Sequence, residues 1–238
     1  MQVRNHDAGG ADADGGVVSE MSASVGSFSG STGVATVTGA NSQWNNSGRL
    51  IVGEAGNGVL NVEAGGVVSN ATGYIGRASP LSLGVGTVTV TGPGSQWNNS
   101  DLIVGEDGNG TLNVEAGGVV SNTTGLIGSS GVGTVTVSGE GSEWNNSGNL
   151  KVGRRGEGTL NISDGGVVSN TMCVIGSREG SVGTATVAGE GSEWNNSSSL
   201  YVGTEGEGTL NVEAGGVVNV AGTTTLNNST LHIELLGT

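Results

Sequence analysis

The sequence predicts an all-β fold: a single-stranded parallel β-helix (β-solenoid) of about 8–9 coils of ~25 residues in two alternating types. Three observations predict it. First, two phrases return along the chain. GEGTLNVEAGGVV (206–218) recurs as GNGVLNVEAGGVV (56–68), GNGTLNVEAGGVV (108–120) and GEGTLNISDGGVV (156–168). Between its copies stand SQWNNSGRLIVG (42–53), SQWNNSDLIVG (95–105), SEWNNSGNLKVG (142–153) and SEWNNSSSLYVG (192–203). Second, the glycine that opens each unit falls at Gly33, Gly58, Gly86, Gly110, Gly133, Gly158, Gly183 and Gly208, in steps of 25, 28, 24, 23, 25, 25 and 25. Third, apolar residues alternate with polar ones at period two, and 32 valines stand against a single phenylalanine. That composition builds narrow, β-branched strands and no amphipathic helix.

In chain order, DGGVVSEMSASVG (14–26) matches DGGVVSNTMCVIG (164–176), but no strand equivalent to GTLNI precedes it. The chain is therefore expected to open in mid-repeat, with 1–13 an N-terminal extension or cap and 14–226 the β-helix. One long step holds RASPLSLG (77–84), where Pro80 marks an insertion bulging from a loop. Within a unit the opening strand sends two columns inward. One contains Leu60, Val88, Leu112, Val135 and Leu160, the other Val62, Val90, Val114, Val137 and Ile162. In register, each residue lies ~4.8 Å from its equivalent, so the columns form continuous aliphatic ladders. A third column (Val52, Ile75, Val104, Ile127, Val152) precedes the closing glycine of each unit, giving three short strands per coil. The register of the middle strand is left open. Outward, Thr36, Thr89, Thr136 and Thr186 interleave with Asn61, Asn113, Asn161 and Asn211, while Glu63, Glu115 and Glu213 fall on alternate coils, which spaces the carboxylates by ~10 Å. Residues 227–238 read as a terminal strand (Leu231, Ile233, Leu235) at an end expected to be truncated.

A net charge of −14 disfavours nucleic acid or an anionic membrane as partner and is ordinary for solubility. No apolar run nears the ~20 residues of a membrane span, and the opening residues do not form a secretory signal. One cysteine, Cys173, excludes an internal disulfide, and its place matches Gly125 and Gly73 in other copies, a packed thiol rather than a nucleophile.

Trp44, Trp97, Trp144 and Trp194 recur once per coil pair. They could form a row of sugar platforms, but each indole is better placed filling a wide corner of the core, because an exposed row of four would invite aggregation. The Asn-Asn-Ser after each is a turn and ladder stretch before it is a glycosylation acceptor. Acidic turns such as Glu106-Asp107-Gly108 lack the nonapeptide calcium repeat, and no metal or other cofactor is expected. No catalytic residues are expected either: His6 and His232 lie in the non-repeating ends. Lys151, Arg154, Arg155 and Asp164, within two coils, are the one charged departure from the repeat and the candidate ligand-facing residues. An ice-binding face would need regular Thr-x-Thr; Thr87-Val88-Thr89 fits, but alternate coils substitute Asn and add Glu.

The phrase W-N-N-S-x-x-L-x-V-G followed by G-x-G-T-L-N-V-x-x-G-G-V-V, over about residues 14–226, resembles the repeat of type V autotransporter passengers and of bacterial surface proteins with a PEP-CTERM sorting signal. The resemblance implies an exported, right-handed parallel β-helix displayed at or released from a Gram-negative cell surface, with no catalytic residues to carry over. The leading expectation is a non-enzymatic, adhesin-like stalk. Its partners would be host or matrix glycans or surface proteins, with no nucleic acid, no membrane insertion by this segment, and end-to-end self-association as a weaker expectation. The alternatives are a carbohydrate-binding or polysaccharide-degrading β-helix and, behind it, an ice-binding protein.

Overall fold

The computed structural model describes residues 15–78 and 82–234. The expectations for 1–13, His6, Pro80 and Leu235 fall outside them. The described strands form three nine-stranded, wholly parallel sheets, with no helix among the described residues. Sheet I runs from Val17–Glu20 to Val217–Val220, sheet II from Ala23–Val25 to Thr224–Leu226, and sheet III from Thr32–Thr38 to Ser229–Ile233. The chain visits I, II and III in turn, and each strand pairs with its equivalents one coil away. The fold is thus a parallel β-solenoid of nine turns.

Sheet III holds the G-x-G-T strands. Leu112 pairs with Val88 on one side and Val135 on the other, and Val114 with Val90 and Val137. All six are shut off from solvent, as the alternation in sequence requires.

The middle strand, whose register the sequence leaves open, is sheet I. Its inward column alternates between two very different residues: Trp44 stands between Val18 and Val68, Trp97 between Val68 and Val120, Trp144 between Val120 and Val168. The inward column of sheet II alternates in the same rhythm: Leu50, Gly73, Leu102, Gly125, Leu150, Cys173, Leu200. Tryptophan coils therefore carry Trp and Leu, and valine coils carry Val and a small residue.

The two choices are coupled in space. A Cβ built on Gly73 would lie 2.9 Å from Cζ2 of Trp97 and 3.1 Å from Cδ1 of Leu102. On Gly125 it would lie 3.0 Å from Cζ2 of Trp144 and 2.9 Å from Cδ1 of Leu150. Each indole thus occupies room left by the valine coil before it, and an added methyl group at Gly73 or Gly125 would require the neighbouring side chains to shift. Cys173 takes the same slot. It is fully buried, and burial pushes its thiol far above the ordinary cysteine range, so it serves as a small apolar filler.

The corners need residues at positive φ. Gly153, leaving sheet II, has φ 70, and a side chain there would collide with the Val182 carbonyl. Entry to valine coils uses an Ala-Gly pair such as Ala116 (φ 50) and Gly117 (φ 87), while tryptophan coils are entered through Gly139 (φ 89) and Gly141 (φ 78). Ala116 is thus held in a left-handed conformation that L-residues resist.

Candidate functional site

The four indoles are interior. Trp97, Trp144 and Trp194 have no exposed surface and Trp44 has 5%. A buried indole N–H needs an acceptor, and each finds one on the preceding coil. Trp97, Trp144 and Trp194 donate from Nε1 to Oδ1 of Asn70, Asn122 and Asn170, each at 2.7 Å; Trp44 donates to Oε1 of Glu20 at 2.6 Å. The same asparagines pass a bond onward: Nδ2 of Asn70 donates to Asn99, that of Asn122 to Asn146 and that of Asn170 to Asn196. Sequence reasoning missed these acceptors. Their signal was present, since the last residue of GGVVSN stands one coil before the second Asn of W-N-N.

Beyond this buried ladder, the edge between sheets I and II carries a trough of about 580 Å³. Asn146, Ser169, Asn170, Asn195, Asn196 and Asn219 help to line it, and no charged side chain does. Its polar groups are amides and hydroxyls, and Val220 and Ala221 add apolar surface.

The charged residues lie on another face. The chain has seven Lys and Arg. The six within the described residues (Arg49, Arg77, Lys151, Arg154, Arg155 and Arg178) all sit on sheet II or on the turn leading from it. Lys151 points outward from the strand Leu150–Val152, between Leu126 and Val174 of the neighbouring coils. Arg154 and Arg155 follow at once on the turn. Asp164 does not join them: it lies beyond the far end of the strand Glu157–Ser163, about 20 Å of extended chain away. The three cations share a face; the carboxylate belongs to another corner.

The surroundings of Lys151 lower its pKa, chiefly through burial of its stem and then through the like charges of Arg154 and Arg178. Two other cations on this face are paired; among the described residues Arg49, on the strand Arg49–Val52, is not. Arg77 Nε lies 3.3 Å from Oε2 of Glu106 and its guanidinium stacks 5.0 Å above the Tyr74 ring; Arg178 lies 3.6 Å from Glu205. Burial raises the pKa of Glu106, with Arg77 opposing the shift. Among the described residues, Lys151, Arg154 and Arg155 enter no ion pair.

Sheet III presents a third kind of surface. Thr87, Thr111, Thr134, Thr159, Thr184 and Thr209 form one unbroken outward column. The next column alternates Thr with Asn, and Glu63, Glu115 and Glu213 border it. Among the described residues, no group of three or more His, Cys, Asp or Glu could hold a metal ion, and no helix is long and apolar enough to cross a membrane.

Comparison with known proteins gives one alignment to an adhesin. The chain is similar to the adhesin BmaC autotransporter of Brucella suis biovar 1 (strain 1330), with 32% identity over 101 residues. The aligned stretch is 42% of this chain and 3% of that protein. No protein-family model matches the chain, and no solved structure matches it.

Proposed function

We propose that the chain is a segment of a surface-displayed or secreted bacterial protein of the autotransporter-adhesin kind, acting as a rigid, non-enzymatic stalk that presents fixed ladders of side chains along its length. The observation that carries this reading is the continuity of the solenoid. Interior strands of all three sheets are paired on both sides, and one core cluster runs from Ala23 to Leu210. Such a body has no hinge between coils. Nine coils at ~4.8 Å give it a length of about 40 Å. The similarity to an autotransporter adhesin supports the placement at the cell surface. The sorting-signal half of the resemblance rests on the repeat phrase alone. Against a site of the polysaccharide-degrading kind around Lys151 stands the position of Asp164, which a whole sheet III strand separates from Lys151, Arg154 and Arg155.

The test is turnover. The purified chain, incubated with a panel of neutral and acidic polysaccharides, should release no reducing ends and no unsaturated products. Sustained release that survives repurification would overturn the non-enzymatic reading.

A further inference from the structure

The outward column of sheet II is unlike that of the other sheets. It reads Ile51, Tyr74, Ile103, Leu126, Lys151, Val174, Tyr201 over seven successive coils. Ile51, Ile103 and Val174 are 7–8% exposed although they point away from the core, and none belongs to the core cluster. Tyr74, Leu126 and Tyr201, which alternate with them or follow in the column, are half-buried, so a largely apolar ribbon one residue wide runs along the stack. Lys151 interrupts the ribbon, and Arg154 and Arg155 stand on the turn beside it. From this placement we infer that the outer face of sheet II, around Lys151, Arg154, Arg155 and Tyr201, is a binding site for a linear acidic polysaccharide of uronate type. The inference rests on the stalk reading, and names the ligand class that the stalk would hold.

Charge complementarity selects an anion. In a chain of net charge −14 every described Lys and Arg is on this one face, while the glutamates of sheets I and III are elsewhere. Carboxylates border the site along the stack: Glu106 and Asp107 toward one end, Glu179 and Glu205 toward the other, with Glu157 at the start of the following sheet III strand. Glu106 and Glu205 are engaged by Arg77 and Arg178, which leaves Lys151, Arg154 and Arg155 as the unpaired cations around the proposed site, with Arg49 farther along the same face. At physiological salt charges are screened beyond ~8 Å, so the glutamates of the other two sheets are largely screened from this face.

Shape selects the polymer. Every sheet II strand between Leu50 and Val202 is paired on both sides, so the proposed site has no open edge for strand addition by a peptide. A ligand must lie on side chains, across the strands and along the axis, meeting one outward residue every ~4.8 Å. A pyranose in an extended chain advances by nearly that distance. An extended peptide, at ~3.3 Å per residue, falls out of step. Tyr201, two coils from Lys151, gives a ring face for a sugar ring, while the cations meet its carboxylates. Nucleic acid is disfavoured, because four unpaired cations on this face, Arg49 lying several coils from the other three, are fewer than the ~6–10 phosphate contacts that such binding commonly uses.

The experiment is calorimetric titration of the full chain with polygalacturonate at 0.15 M salt, beside its methyl ester and poly-L-glutamate (0.15 M is about physiological ionic strength). Binding to polygalacturonate is expected, weakened at least tenfold by esterification and at least tenfold in Lys151→Ala/Arg154→Ala with an unchanged melt. Tyr201→Ala should weaken polygalacturonate binding and leave any poly-L-glutamate binding unchanged. The inference is overturned if no heat develops at millimolar uronate, if the ester binds equally, or if the double variant binds like the parent. Poly-L-glutamate binding as tightly as polygalacturonate would also overturn it, in favour of an acidic protein. Product release would defeat the non-enzymatic reading alone, and leave the site standing.

Discussion

Tryptophan coils and valine coils have nearly the same backbone and opposite interiors. In the coil containing Glu143–Asn146, sheets I and II point Trp144 and Leu150 inward; in the coil before it the same places hold Val120 and Gly125. Neither interior would be well filled if repeated alone. Stacking two tryptophan coils would crowd indole on indole, and stacking two valine coils would leave a void. The difference teaches that the packing unit is the pair of coils, with the shorter period supplying only the backbone.

The comparison can be broken most severely at the large residue. Trp144→Ala should cost about 3–5 kcal/mol in urea unfolding, since Val120 and Val168 cannot close over the cavity. A cost under ~1 kcal/mol would mean that the indole is not a shared filler. The polar thread between coils comes next. Asn122→Ala leaves the Trp144 N–H without its acceptor and Asn146 without its donor, and should cost about 2 kcal/mol. If the variant matches the parent, the network adds nothing to stability. The smallest effect separates the two kinds of corner. Ala116→Gly relieves a left-handed alanine at the entry to a valine coil and should gain about 0.5 kcal/mol, after allowance for the looser unfolded chain. A loss would show that the Ala116 methyl group makes a favourable contact.

The solenoid was legible because its determinants are local and repeated. Period-two alternation names the inward residues of sheet III, and the fixed step sets coil on coil. Sheet I was harder, because Q-W-N-N and V-V-S-N offer polar residues on both faces. The pairing of Trp97 with Val68 and Val120 puts the three in one column, and their complete burial shows that this column faces inward. The electrostatic reason for two coil types, spacing of Glu63, Glu115 and Glu213, is accompanied by a steric one that depends on contact between Gly125 and Trp144, residues far apart in sequence. Of the candidate site, Lys151, Arg154 and Arg155 were visible as a departure from the repeat. Asp164 lay close to them in sequence and lies far from them in space, because a whole sheet III strand intervenes. The apolar ribbon beside them was hidden for a simple reason: Ile51, Ile103 and Val174 look like core residues in any hydrophobicity pattern, and only register shows that they point outward.

The central claim is that adjacent coils of opposite type share one packing volume, and a double-mutant cycle tests it most directly. Trp144→Val, Gly125→Leu and the double variant would be compared by urea unfolding. The account predicts that each single change is destabilising, by a cavity in one case and by overpacking in the other, and that the double variant falls short of their sum by more than ~1 kcal/mol. Additivity within ~0.5 kcal/mol would contradict it, and would return the packing unit to the single coil.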